Sequence, residues 1–106
     1  MRITKEERAK LKAEHPDAIL VRAKAGREEL EFVLRPPTRG EFKRFEDEQR
    51  DNAPDFAENL TRACVLWPDE AAVARLFEKH PGVYRPLGDE IMRLAGAADK
   101  AYSEPL

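Results

Sequence analysis

Residues 59–96 read NLTRACVLWPDEAAVARLFEKHPGVYRPLGDEIMRLAG, and this stretch decides the fold. Pro68, the triplet His80-Pro81-Gly82 and Gly96 interrupt it, and prolines and glycines commonly end helices. Between these interruptions, large apolar residues recur every three or four positions, which is typical of helices with one buried face. We therefore predict three helices that share a core. Their ranges are 55–66, 69–79 and 83–95.

Two β-strands are predicted on the N-terminal side of these helices. Residues 18–24 are rich in β-branched side chains, and residues 28–35 alternate with a period of two. Gly26 lies between them and suits a turn that needs a positive φ. Two strands alone are only marginally stable, so the apolar face of this hairpin needs a covering helix. The apolar side chains of that face are Leu30, Phe32 and Leu34.

The remaining segments are more polar. Thr38 and Glu41 have the spacing of a capping box and predict a helix over residues 38–51. The same pattern begins a charged N-terminal helix within residues 1–17, which has few apolar side chains and which we expect to be mobile or weakly attached. Residues 97–106 are small, polar and end near a proline, which predicts a flexible tail.

The order of these elements predicts the fold class. One helix, two strands and four helices indicate an α+β fold that is mostly α-helical, with one N-terminal β-hairpin packed on a cluster of three to four short helices. The chain has 106 residues, a common size for one domain. We assign that single domain to residues 18–96.

The charge pattern argues against nucleic-acid binding. Charged residues make up 38% of the chain, both signs are interleaved, and the net charge is −2. A protein that follows nucleic-acid phosphates usually has a basic stripe, so we expect no nucleic-acid partner.

The sequence has no apolar run long enough to cross a bilayer and no signal-peptide pattern at its N-terminus. We expect a protein of the cytoplasm.

The sequence shows no recognisable reaction chemistry. Cys64 is the only cysteine, and its apolar neighbours predict a buried and inert thiol. His15 and His80 lack the spacing of a zinc motif, and the glycines are too scattered for a phosphate-binding loop. We therefore predict that the chain is not an enzyme, with no catalytic residue, no metal site and no cofactor.

Three blocks of sequence carry a family resemblance. Residues 32–42 read FVLRPPTRGEF, a strand that leads into a capped helix, and residues 60–69 read LTRACVLWPD. The third block is residues 77–83, FEKHPGV, which lead to IMRLAG at residues 91–96. In content and order, the blocks resemble those of the small tail assembly chaperones of long-tailed bacteriophages and prophages.

The resemblance implies a function in virion morphogenesis. Such a chaperone binds the long helical tape measure protein and keeps it soluble until the major tail tube protein polymerises around it. The tape measure protein is then the expected partner, and the major tail tube protein is a second candidate. The chaperone would act in the host bacterial cytoplasm and be absent from the mature virion. Self-association is left open by the sequence.

A chaperone of this kind needs apolar surface ringed with charge. Trp and Arg are common anchors at protein interfaces, and aromatic side chains supply large contact areas. We therefore select four aromatic residues and two basic neighbours as candidate partner-binding residues. They are Phe42, Phe45, Trp67 and Phe77, with Arg39 and Arg44. The sequence leaves open which of these aromatic residues lie in the core, and core packing is the alternative for Phe77 and for at least one of Phe42 and Phe45.

Two other functions fit parts of the sequence. The chain could be another phage or prophage structural or connector protein, which would be found in purified particles. It could also be a small nucleic-acid-binding regulator, because residues 69–79 and 83–95 have the layout of a helix-turn-helix. Asp89 and Glu90 on the second helix argue against a recognition helix, which is usually more basic.

Overall fold

A computed structural model describes residues 2–96 and 101–106 of the chain. This part of the protein contains five α-helices and one antiparallel three-stranded sheet, which confirms the α+β class and the N-terminal hairpin. The elements in chain order are α1 (Lys5–Glu14), β1 (Ile19–Ala25), β2 (Glu28–Leu34), α2 (Arg39–Arg50), α3 (Phe56–Cys64), β3 (Val65–Trp67), α4 (Glu70–Lys79) and α5 (Tyr84–Leu94).

The sheet has the strand order β1-β2-β3. β1 and β2 form the predicted hairpin, and Gly26 in its turn has a φ of +63°. Arg22 lies opposite Glu31 in the hairpin, so oppositely charged side chains face each other across the strands. β3 pairs with the other edge of β2, with an irregularity in register between Val33 and Leu34.

The third strand corrects the sequence prediction at one point. The helix expected over residues 55–66 ends at Cys64, and Val65–Trp67 pair with β2 instead. Two local features favour this outcome, because Val65 is β-branched and the residue before Pro68 disfavours the helical conformation. The free edge of β2 then supplies hydrogen-bonding partners for the extended backbone.

The helix termini follow the capping signals. Thr4 and Thr38 each form a complete capping box, with Glu7 and Glu41 respectively. The Asp69 side chain accepts a hydrogen bond from the Ala72 backbone N–H at 2.8 Å and caps α4. The observed bounds of α2, α4 and α5 differ from the predicted ranges by no more than one residue at either end.

The core lies between one face of the sheet and the helices α3, α4 and α5. Phe32 and Leu34 of β2 are fully buried there, as are Leu87 and Ile91 of α5. Burial of such side chains contributes about 1.5–3 kcal/mol each before conformational entropy is counted. α3 and α5 pack on this core and on each other, and α2 packs on α3.

The outer face of the sheet is partly covered by α1. The Ile3 backbone N–H donates a hydrogen bond to Glu31 Oε1 at 3.0 Å, and the Trp67 indole N–H donates to Glu7 Oε2 at 2.9 Å. None of the residues of α1 is buried. The N-terminal helix, which we expected to be mobile or weakly attached, is therefore tied to the sheet by polar contacts rather than by a core of its own.

Of the predicted tail, residues 97–100 lie outside the described residues, and residues 101–106 have no helix or strand and are exposed. Across the described residues, none of the helices combines the length and the apolar composition needed to span a bilayer.

Candidate protein-binding surface

Helix α2 lies on the surface of the molecule, against α3. It has only two apolar side chains, Phe42 and Phe45, and none of its residues is buried. The two phenylalanines are three positions apart and therefore share one face of the helix. Phe45 packs against the core, while charged residues occupy the rest of α2. The helix thus places aromatic surface at the boundary between core and solvent.

Phe42, Phe45 and Phe56 form a continuous cluster, which we call the aromatic patch. The ring centroids of Phe42 and Phe45 are 6.0 Å apart, and those of Phe45 and Phe56 are 5.5 Å apart. Both pairs are tilted, an arrangement that stabilises aromatic contacts by about 0.5–1.5 kcal/mol beyond burial. All three side chains are half-buried, so each still presents part of its ring to solvent.

Grooves adjoin the aromatic patch on several sides. One groove, of about 400 Å³, runs between α3 and α5 beside Phe45, and its lining is mainly apolar. Its apolar lining residues are Phe45, Ala57, Leu60, Tyr84, Gly88 and Met92, with Arg85 and Asp89 also in the lining. A second groove, of about 340 Å³, separates α2 from α3 beside Phe56. A third, of about 640 Å³, lies beside Phe42 and reaches Ala95.

The basic candidates lie at the rims of these grooves. Arg39 is exposed and lines the groove beside Phe42. Arg44 lines the groove between α2 and α3, and its Nε is 3.0 Å from Glu48 Oε1 one helical turn away. The Arg44 side chain is 81% exposed, so this ion pair is worth little to the free energy of unfolding. Both arginine side chains are therefore exposed at the rims of the grooves.

The partly buried ion pair between Arg35 and Glu41, which we call the Arg35 clasp, holds α2 in place. The Arg35 guanidinium donates to both carboxylate oxygens of Glu41, at 2.8 and 2.9 Å, and to the Ala63 carbonyl at 2.7 Å. Its hydrogen bonds to Glu41, helped by the Thr38 backbone N–H, lower the pKa of that carboxyl to about 2. The clasp connects the end of β2, the first turn of α2 and the last turn of α3.

The other two candidate residues lie elsewhere. Trp67 is on β3, where it is half-buried and bonded to Glu7 of α1. Phe77 is only 4% exposed and belongs to the core, with the Arg62 guanidinium 5.7 Å from its ring centroid. Phe77 faces the core because it continues the apolar stripe of α4. Phe77 is therefore too deeply buried to contact a partner, which corrects the prediction, and Trp67 lies on a different surface.

The family model described as a domain of unknown function, DUF6848, matches residues 11–104. The chain belongs to the DUF6848 family. A solved structure, of the uncharacterised protein rbstp2171 from Bacillus stearothermophilus, is similar with a TM-score of 0.77 and 21% sequence identity. The similarity covers 92% of this chain and 99% of that one, and at this identity it shows the fold alone. No curated protein matches the sequence.

The region that matches the DUF6848 family includes every residue of the aromatic patch. Phe56, Tyr84 and Met92 are not among the candidates that we selected from the sequence. The signal that could have indicated Phe56 is the short connection at residues 51–55, which folds α3 back on α2 and brings Phe56 beside Phe45. Tyr84 and Met92 reach the groove only through the packing of α5.

Cys64 and His80 of this DUF6848 protein have side chains of types that take part in catalysis or bind metals in other proteins. Cys64 is fully buried, and desolvation raises the pKa of its thiol to about 11, so the thiolate is scarce at neutral pH. His80 Nε2 lies 3.6 Å from Glu28 Oε2. Within residues 2–96 and 101–106, no three His, Cys, Asp or Glu side chains converge as metal ligands would.

Proposed function

We propose that this protein binds an apolar face of a helical partner through the aromatic patch and thereby keeps the partner soluble. In the biological setting that the sequence resemblance suggests, it is a phage tail assembly chaperone and the partner is the tape measure protein. The observation that carries the proposal is the patch itself, three half-buried aromatic rings bordered by grooves. Two of the rings are on α2, which has no buried residue, and the third is on α3.

A helix is the partner that suits these grooves. Amphipathic helices bind by placing side chains at positions i, i+3, i+4 and i+7 into an apolar groove. The mainly apolar groove beside Phe45 follows α5, whose 11 residues extend over about 16 Å. A partner helix of about three turns can therefore lie along it. Tyr84 and Met92 would line its path, with Phe45 at its side.

The charged surroundings of the patch suit a chaperone. Arg39, Lys43 and Arg44 are exposed on α2, next to the aromatic rings. Such charges keep a complex soluble after the apolar face of the partner has been covered. Arg44 also lies where it can pair with an acidic residue of the partner, because its present pair with Glu48 is weak.

The proposal includes the place and time of action. The protein would bind the tape measure protein in the host bacterial cytoplasm and leave it when the major tail tube protein polymerises, so the mature virion would lack it. Binding of this kind depends on shape and apolar area and needs neither a cofactor nor a nucleotide.

Coexpression tests the proposal. The protein is produced together with the long helical protein encoded in the same phage or prophage, and the soluble fraction of that protein is measured. We expect wild type to solubilise it and the double variant Phe42→Ala/Phe56→Ala to lose most of this effect. Tyr102→Ala is the matched control, because Tyr102 is exposed but lies outside the patch.

Two outcomes would overturn the proposal. One is a partner that stays insoluble with wild type, and the other is a double variant that works as well as wild type although circular dichroism shows it to be folded. Detection of the protein in purified particles by mass spectrometry would favour a structural or connector role instead.

A further inference from the structure

A separate cleft lies between α1 and the outer face of the sheet, above β1. Its volume is about 400 Å³, and no residue of the aromatic patch lines it. Leu11 of α1 and Leu20 of β1 are among its apolar lining residues, and both are half-buried. The proposed chaperone function makes no use of this cleft.

All charged residues in the described lining of the cleft are basic. Arg8, Lys12 and Arg22 line it, and its described lining includes no acidic residue. Arg8 and Lys12 are one turn apart on α1, both are exposed, and neither forms an ion pair with another described residue. Arg22 is partly neutralised, since its Nε is 3.0 Å from Glu31 Oε2 and 3.9 Å from Glu29 Oε1. The cleft therefore attracts a negatively charged ligand with an apolar face.

The backbone beside the cleft is also incompletely paired. β1 is an edge strand, and among the described residues only β2 pairs with it. The far side of this seven-residue strand therefore presents N–H and C=O groups that can pair with a further strand. Addition of an extended segment to such an edge is a common way for a sheet to bind a peptide.

The hairpin itself indicates which sequence would suit β1. Across the existing ladder, Arg22 faces Glu31 and Lys24 faces Glu29, so β1 is already paired with an acidic, alternating strand. A second such strand on the free edge would meet the same basic side chains. A second copy of β1 is disfavoured, because antiparallel pairing of two such strands brings Arg and Lys side chains of like charge together.

We propose that the free edge of β1 binds an extended acidic segment of another protein as a fourth strand. Its carboxylates face Arg8, Lys12 and Lys24, and an apolar side chain at the position that corresponds to Val33 of β2 covers Leu11 and Leu20 in the cleft. This site is independent of the aromatic patch, so a client helix and an acidic segment can be bound at the same time.

A peptide with the β2 sequence EELEFVL, flanked by Gly-Ser and labelled with fluorescein, is the probe. Fluorescence anisotropy measures its binding to the full chain, and amide hydrogen exchange measures the protection of residues 19–25. We expect binding that slows exchange in β1, and no binding of a peptide with lysines in place of its glutamates. Arg8→Glu/Lys12→Glu should weaken binding by about tenfold or more.

The control variant is Arg39→Glu/Lys43→Glu, which makes the same change in net charge on α2, away from the cleft. We expect this variant to bind the probe as wild type does. Equal losses in the two variants, or binding without protection of β1, would overturn the proposal. Displacement of the probe by a single-stranded oligonucleotide, without protection of β1, would indicate a nucleic-acid site instead.

Discussion

At the scale of single residues, Arg35 shows how one side chain can join three elements. It follows β2, donates to Glu41 at the start of α2, and also donates to the Ala63 carbonyl near the end of α3. The Arg35 and Glu41 side chains are only 23% and 27% exposed, so solvent screens their interaction less than it screens a surface pair. The partly buried carboxylate of Glu41 and the fully buried thiol of Cys64 each lead to a prediction.

The first prediction concerns the stability of the protein in acid. The folded pKa of Glu41 is lowered from 4.5 to about 2, so its contribution is fully present above pH 4.5 and is lost as the pH falls toward 2. We expect Glu41→Gln to lower the free energy of unfolding at pH 7 by about 2 kcal/mol and to flatten its decline between pH 5 and pH 2. Urea unfolding at several pH values measures both effects.

Glu48→Gln is the control for this prediction. Glu48 pairs with Arg44, whose side chain is 81% exposed, so replacement of Glu48 should change the free energy of unfolding by less than about 1 kcal/mol. An acid profile of Glu41→Gln that follows wild type would contradict the role given to the clasp.

The second prediction concerns the reactivity of Cys64. Its thiol is fully buried and its pKa is raised to about 11, so a thiol reagent at pH 8 should react with it only after the chain opens. We expect no reaction with Ellman's reagent in the native state and complete reaction in denaturant. Rapid labelling of the native protein would show that the site around Cys64 is open to solvent.

At the scale of elements, the sequence patterns predicted the helices and the hairpin well. Capping boxes, prolines and glycines act locally, and their residues are close together along the chain. β3 was missed because three residues carry no measurable periodicity, and because its conformation depends on the distant edge of β2. The position of α1 could not be predicted for a similar reason, since it rests on the contacts of Ile3 with Glu31 and of Glu7 with Trp67.

The third prediction tests the attachment of α1. Glu7→Ala removes the acceptor of the Trp67 indole N–H and one half of the capping box. We expect the fluorescence emission of Trp67 to move to longer wavelength and its quenching by iodide to increase. Glu6→Ala, in the same exposed turn, should leave both properties unchanged. If Glu7→Ala also leaves them unchanged, α1 is held by other contacts.

At the scale of the whole molecule, the proposed binding site could be predicted only in part. Phe42 and Phe45 are on one helix with Arg39 and Arg44, so their proximity follows from helical spacing alone. Their position relative to Phe56, Tyr84 and Met92 depends on how α2, α3 and α5 pack. The same packing separates Trp67 and Phe77 from this site. Trp67 is bonded to Glu7 of α1, and Phe77 lies in the core.

The fourth prediction separates core aromatics from surface aromatics across the fold. Phe32 is completely buried between the sheet and the helices, and Phe32→Ala should lower the free energy of unfolding by about 3–5 kcal/mol. Phe42 is half-buried, and Phe42→Ala should lower it by about 1.5 kcal/mol or less. Chemical denaturation followed by circular dichroism measures both. A large loss for Phe42→Ala would place this ring among the structural residues.

The Arg35 clasp also bears on the thermodynamics of association. It anchors α2 to α3 in the free protein, so the backbone that carries the aromatic rings is already positioned. In the proposed complex, little conformational entropy then has to be lost by this protein, and the ordering cost falls mainly on the helical partner. Loosening the clasp by Arg35→Lys should therefore weaken association even though Arg35 itself never touches the bound helix.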